Sequence, residues 1–224
     1  MTYQEGNIGI TAPDPEEPCR PESSSGCTFL HSEKATQLWH TVHNSLLFCE
    51  KQEVYYYGFN HGCLCANAFQ QIERIQNINL RRLYEARKSE LEIKNDPAVG
   101  AGEKILYHGS TQASCSSIMS TNFNRNFAGQ NATVFGHGTY FAVNASYSAL
   151  TTYAVPAADG TQLMFVARVL TGHYAQGLGN MKTPPVRVAP DQFYDSVVDN
   201  TQDPTMFVVF HDCQAYPDYL ITFK

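Results

Sequence analysis

The chain has 224 residues and a mass of 25.0 kDa, a length that builds one domain with a core of its own and excludes a string of modules. Its composition is 43% hydrophobic, 12% aromatic and 16% charged, which excludes a wholly disordered chain, a coiled coil and a collagen-like repeat. Fifteen Lys+Arg against 21 Asp+Glu give a net charge of −6 and a pI near 5.7, so nothing suggests a nucleic-acid footprint spread over the whole surface, and any nucleotide is held locally.

Residues 1–30 hold Pro13, Pro15, Pro18 and Pro21, the run Ser23-Ser24-Ser25-Gly26 and a local acidic excess, the composition of a leader without a core. From Thr36 to Phe48 the spacing of Leu38-Trp39, Val42 and Leu46-Leu47 predicts an amphipathic helix with Trp39 as a core anchor. Val54-Tyr55-Tyr56-Tyr57 before Gly58 reads as a strand entering a turn. The stretch Ile72–Ile78 fits either a short strand or a helical face. Leu80, Leu83, Tyr84, Arg87 and Leu91 form a helical stripe that stops at Asn95-Asp96-Pro97, with Glu85 and Lys88 as a surface pair. After Gly100-Ala101-Gly102 the pattern turns to short extended runs: 104–108, 139–143, 163–170, 206–211 and 219–223. Helices early and strands late predict an α+β domain over residues 31–224.

No run reaches the length of a membrane span and the N-terminus lacks a signal-peptide pattern, so the expectation is a cytoplasmic or nuclear protein without a membrane partner. The seven cysteines are unevenly spaced and are read as reduced thiols. His61, Cys63 and Cys65 lack the second pair that a structural zinc needs, and no metal is expected. The glycine-rich phosphate cradles and the common hydrolase motifs are absent.

Two segments stand out: Tyr107-His108-Gly109-Ser110 and, about thirty residues on, Gly136-His137-Gly138-Thr139-Tyr140-Phe141-Ala142, followed by Ser148 and Tyr153. They resemble the catalytic domain of the poly(ADP-ribose) polymerase-like ADP-ribosyltransferases, and Ile72–Asn77, Phe123-Asn124-Arg125, Arg168–Gly172 and Gln214–Phe223 are similar to its macrodomain-associated mono-ADP-ribosyltransferase branch. The likeness runs from about residue 36 to the end.

The resemblance implies a diphtheria-toxin-like fold, two packed antiparallel or mixed β-sheets with flanking helices, and NAD as co-substrate. It implies that Gly109 and Ser148 hold the nicotinamide amide, and that Tyr153 stacks on the ring with Tyr140 as the other wall. His108, with Ser110 beside it, takes a ribose hydroxyl of the adenosine half. Residues 124–134 match a loop over NAD, and Arg125 is its electrostatic contribution. Met206 falls where polymer-forming relatives carry a glutamate, and a thioether is a weak acceptor with no basic function. The implied activity is therefore transfer of single ADP-ribose units to protein acceptors, this chain included, with His108, Tyr140 and Met206 at the reacting end. His137 replaces a lysine frequent between the two glycines, which reduces charge near the pyrophosphate. The expected state is a monomer that binds no nucleic acid, and the transferase-like region leaves no room for a regulatory helical domain, which predicts an open donor site.

Overall fold

The computed structural model describes residues 69–125, 133–188 and 190–224. The predicted leader, the helix carrying Trp39, the strand at Val54–Tyr57 and most of the 124–134 loop lie outside the described residues.

The ambiguous stretch after residue 72 resolves into both alternatives. Strand β1 spans Phe69–Arg74, and helix α1 spans Ile78–Lys94. The switch is made by Asn77, whose Oδ1 accepts from the N–H groups of Asn79 and Leu80 at 3.2 Å each and caps the helix. Asn95 ends the helix by donating its N–H to the Leu91 carbonyl at 2.9 Å. Leu80, Tyr84 and Leu91 are buried against Ala101, Leu170 and Tyr216. Leu83, on the flank of that stripe, is exposed, which corrects the expectation that it packs. The expected Glu85–Lys88 pair is also replaced: Glu85 takes Arg81 one turn back, and Lys88 reaches Glu103 on the sheet, each at 3.0 Å.

Strand β2 is Glu103–Ser110, and helix α2 follows at Gln112–Thr121. No helix is predicted for α2, in which four of ten residues are serine, a type that favours caps and turns over helix interiors. Its start is fixed by Thr111, whose Oγ1 accepts from the Ser114 N–H at 3.1 Å. Strand β3 (Thr139–Ala142) leads into the single turn α3 (Ala145–Ser148). The remaining strands are β4 (Gln162–Leu170), β5 (Tyr174–Gln176), β6 (Val186–Val188), β7 (Gln192–Phe193), β8 (Ser196–Val198), β9 (Met206–Val209) and β10 (Ala215–Phe223). β10 begins earlier than the run at Tyr219 suggests. Pro217 is accommodated where the β10–β4 register shifts, and the Asp218 carbonyl there accepts from Ile75.

Eight strands form one sheet in the order β1-β10-β4-β2-β3-β9-β8-β5, and β6 and β7 form a separate two-stranded sheet. The expectation of two separate packed sheets is thereby corrected to one continuous sheet whose two halves share a core. A single pairing, Tyr107 with Ala142, joins β2 to β3, whereas β2 and β4 pair along eight residues. The sheet is thus two well-laddered halves joined at a narrow seam. They share a core in which Leu106, Phe165 and Val169 from one half meet Phe141, Phe207 and Val209 from the other.

A buried polar knot anchors the end of α1. The Asp195 carboxylate, fully enclosed, accepts from Lys94 Nζ at 2.6 Å, Asn95 Nδ2 at 2.8 Å and the His173 N–H at 2.9 Å. Gly172 permits this, since a Cβ there would stand 2.1 Å from the Asp195 Oδ2.

Candidate functional site

A cavity of about 540 Å³ opens at the β2–β3 seam, within the size range of small-molecule sites. His108, Gly109 and Ser110 enter it from β2, Tyr140 from β3, Ser148 from α3, Tyr153 from the following turn and Met206 from β9. The structure therefore brings together seven of the eight residues singled out in the sequence. Among the described residues its lining has no Asp, Glu, Lys or Arg.

Gly109 controls the geometry of one wall. A Cβ at this position would lie 2.1 Å from the Ser148 carbonyl oxygen, 2.8 Å from the Ala154 nitrogen and 3.0 Å from the Tyr153 carbonyl carbon. The missing side chain thus lets α3 and the turn behind it rest directly on β2. Ser148 and Tyr153 owe their place in the cavity to that approach. Beside it, Ser110 is buried and hydrogen-bonds Cys115, whose thiol burial pushes up to about 11.

His108 bridges the seam. Its Nδ1 lies 2.8 Å from the Tyr140 carbonyl oxygen, and since a carbonyl only accepts, Nδ1 carries the proton and Nε2 is the ring's acceptor. Phe123 meets the imidazole edge-on with centroids 5.2 Å apart, and Phe141 lies tilted to it at 5.5 Å. Burial among these groups lowers the His108 pKa below that of a free imidazole, against a smaller opposing effect of the Tyr140 carbonyl. The neutral ring is therefore the folded form near neutrality. As pH falls below about 6.5 the unfolded chain takes up this proton first, so the stability contributed by neutral His108 is full above that value and declines below it. An NMR titration of the ring should give a midpoint below about 6.5.

Tyr140 is pinned at its hydroxyl, which donates to the Gly136 carbonyl at 2.8 Å and accepts from the Phe135 N–H at 3.0 Å. Tyr153 is anchored differently: its hydroxyl pairs with that of Tyr147 at 2.8 Å, and the two rings stack with centroids 5.1 Å apart. Tyr147 also lines the cavity and was not singled out in the sequence, where it is one tyrosine among 13. Its bond to Tyr153, with some burial, pushes its phenol up to about 12.

Met206 is buried, and its N–H donates to Asp199 Oδ1 at 2.9 Å, fixing the start of β9. Met206→Glu would put a carboxyl into this lining with no cationic side chain among the described lining residues. Burial would raise that carboxyl's pKa, so the unfolded chain would ionise first and the variant would lose stability as pH rises past about 4.3. The expected loss is about 2 kcal/mol at pH 7, shrinking toward pH 4, as measured by urea denaturation at both pH values.

Arg125 is the sequence-predicted residue that stands apart. Its Nη1 donates to the Phe210 carbonyl at 2.6 Å and its N–H to Asp212 Oδ1 at 3.3 Å, on the segment that follows β9, and it is absent from the cavity lining. His137 is exposed and also outside the lining, its N–H bound to the Met181 carbonyl at 2.7 Å.

Asn122 is a second lining residue that the sequence does not reveal. It caps α2 at φ 73° and ψ 178°, a region adopted almost only by glycine. Its Nδ2 donates to the carbonyls of Asp212 and Ala215 at 2.9 Å each, which secures the loop below the cavity. Its Oδ1 is enclosed without a hydrogen-bond partner among the described residues.

Among the described residues, no group of three or more His, Cys, Asp or Glu side chains could hold a metal ion, and no helix is long and apolar enough to cross a membrane.

Residues 55–224 match the family model of the poly(ADP-ribose) polymerase catalytic domain. The chain is 45% identical over 157 residues to protein mono-ADP-ribosyltransferase PARP14 of Homo sapiens, covering 69% of this chain and 9% of that protein. It is 42% identical over 157 residues to protein mono-ADP-ribosyltransferase PARP10 of Mus musculus, covering 69% and 16%. It is 35% identical over 176 residues to protein mono-ADP-ribosyltransferase PARP11 of Mus musculus, covering 70% and 53%. The matched region thus spans from about a tenth to about half of these relatives' length. With an α+β domain built on one large sheet, and with a family match covering most of its length, the chain belongs to the poly(ADP-ribose) polymerase catalytic-domain family.

Proposed function

We propose that this chain is a protein mono-ADP-ribosyltransferase of diphtheria-toxin-like fold that uses NAD as its donor and releases nicotinamide. The observation that carries this reading is the convergence of His108, Gly109, Tyr140, Ser148, Tyr153 and Met206 on one cavity. The relatives named above are themselves protein mono-ADP-ribosyltransferases.

The cavity suits NAD in its chemistry. Two tyrosine walls fit a planar, weakly polar ring, and the Nε2 acceptor of His108 suits a ribose hydroxyl. NAD supplies a ribosyl–nicotinamide bond whose leaving ring departs neutral, so no general acid is required at that end. Gly109 and Ser148 orient the amide, and Tyr140 and Tyr153 hold the ring plane. The neutral lining has no carboxylate among the described residues to steady positive charge developing on the ribose. Met206 supplies neither that charge nor a base for an acceptor hydroxyl. The negative charge then comes from the acceptor, a carboxylate of a protein substrate or of this chain, and the modification stops at one unit per site.

Nicotinamide release from NAD tests the reading, with His108→Gln as the control. Turnover well above the control, label from the ADP-ribose half retained on denatured protein, and intact masses showing isolated single additions are the expected results. Release without retained label would make the protein a hydrolase of NAD, and ladders of repeated additions on one acceptor would make it a polymerase. No release above the control would remove the enzyme reading altogether.

A further inference from the structure

Tyr140 and Tyr153, which both line the cavity, are held by different means. Tyr140 lies on β3 and has its hydroxyl fixed by two backbone groups. Tyr153 lies on the turn after α3, where the Tyr153 and Ala154 N–H groups both return to the Leu150 carbonyl, at 2.8 and 2.9 Å. The contacts that orient its side chain are those to Tyr147: the near-parallel stack, with 26° between ring planes, and the hydroxyl pair at 2.8 Å. Both rings line the cavity, and Tyr147, 42% exposed against a half-buried Tyr153, is the more solvent-exposed of the two.

We infer that Tyr147 is a positioning residue for the nicotinamide end of the cavity, setting the plane of Tyr153 by stacking on it from the solvent side. A slot that receives a flat ring works only at a fixed width, and a wall carried on a turn needs a backing that a wall carried on a strand does not. Stacking contributes the larger part, because it constrains the ring plane, whereas the hydroxyl pair constrains one edge. The inference rests on the NAD reading, and it gives Tyr147, which itself lines the cavity, a role exerted through the plane of Tyr153.

Calorimetric titration with benzamide, a mimic of the nicotinamide ring, and with ADP-ribose, which reports on the other half of the cavity, tests it. Against the unmutated protein, Tyr147→Ala should weaken benzamide about fivefold to tenfold, and Tyr147→Phe, which keeps the stack, about twofold. ADP-ribose affinity should stay within about twofold in both variants, a selectivity that a general loss of structure would not give. Unchanged or tighter benzamide binding in Tyr147→Ala, or a parallel loss of ADP-ribose, overturns the positioning role. Failure of the unmutated protein to bind either ligand would instead overturn the NAD reading itself.

Discussion

Replacing Gly109 with alanine should abolish measurable nicotinamide release and destabilise the protein by about 3 kcal/mol. The added methyl would meet the Ser148 carbonyl oxygen at 2.1 Å and the Ala154 nitrogen at 2.8 Å, and both are backbone atoms with no rotamer to escape into. Relief requires α3 and its turn to lift off β2, which carries Ser148 and Tyr153 away from His108 and Tyr140. Four side chains that must act together within a few tenths of an ångström would be separated, so turnover should fall more than about a hundredfold. Urea denaturation with parallel activity at low temperature checks both parts. A Gly109→Ala protein that keeps turnover within tenfold of the unmutated chain would show that the α3 turn yields without cost, and the wall would then have to be held elsewhere.

Asp195→Ala should cost about 4 kcal/mol while leaving the cavity functional at temperatures where the variant remains folded. Its carboxylate is enclosed and accepts three hydrogen bonds, two of them from the last turn of α1 and its cap. Removing it leaves the His173 N–H unpaired and the Lys94 ammonium without its counter-charge in partly buried surroundings. Lys94 keeps the Phe193 carbonyl and Asn95 keeps the Gly100 carbonyl, so the loss is bounded. Asp195→Asn, which retains an acceptor and the volume, should lose about half as much. A melting temperature for Asp195→Ala within about 2 °C of the unmutated value would contradict this account of the knot. Comparison of the two sites separates a glycine whose importance lies in the cavity from a carboxylate whose importance lies in the fold.

Much of this was legible in the residues. The strands at 104–108, 139–143 and 163–170 follow from short extended runs separated by Gly, Pro, Asn and Asp, and α1 follows from the spacing of Leu80, Tyr84 and Leu91. The site residues of β2 and β3 were marked by a resemblance, and the cavity contains them. What the sequence withheld depends on long-range contacts. α2 has serine at four of its ten positions, and its start becomes visible only through the Thr111 cap. Asn122 reads as an ordinary asparagine until its positive φ and its bonds to Asp212 and Ala215 are seen. Tyr147 gains meaning only when the turn folds Tyr153 back onto it. Arg125 was assigned by its place in a loop motif, yet the Phe210 carbonyl, 85 residues away, takes its guanidinium.

The narrow join between β2 and β3 has a further consequence. With one backbone pairing there, the imidazole of His108 reaching the Tyr140 carbonyl acts as an additional rung of the sheet, made by a side chain. A ligand that contacts residues of both strands spans the same gap. Its binding free energy is then also free energy of sheet closure, and amide exchange along the two edges of the join should slow on ligand addition while the interior of the β2–β4 ladder hardly changes. Filling the cavity would thereby tie the two halves of the sheet together.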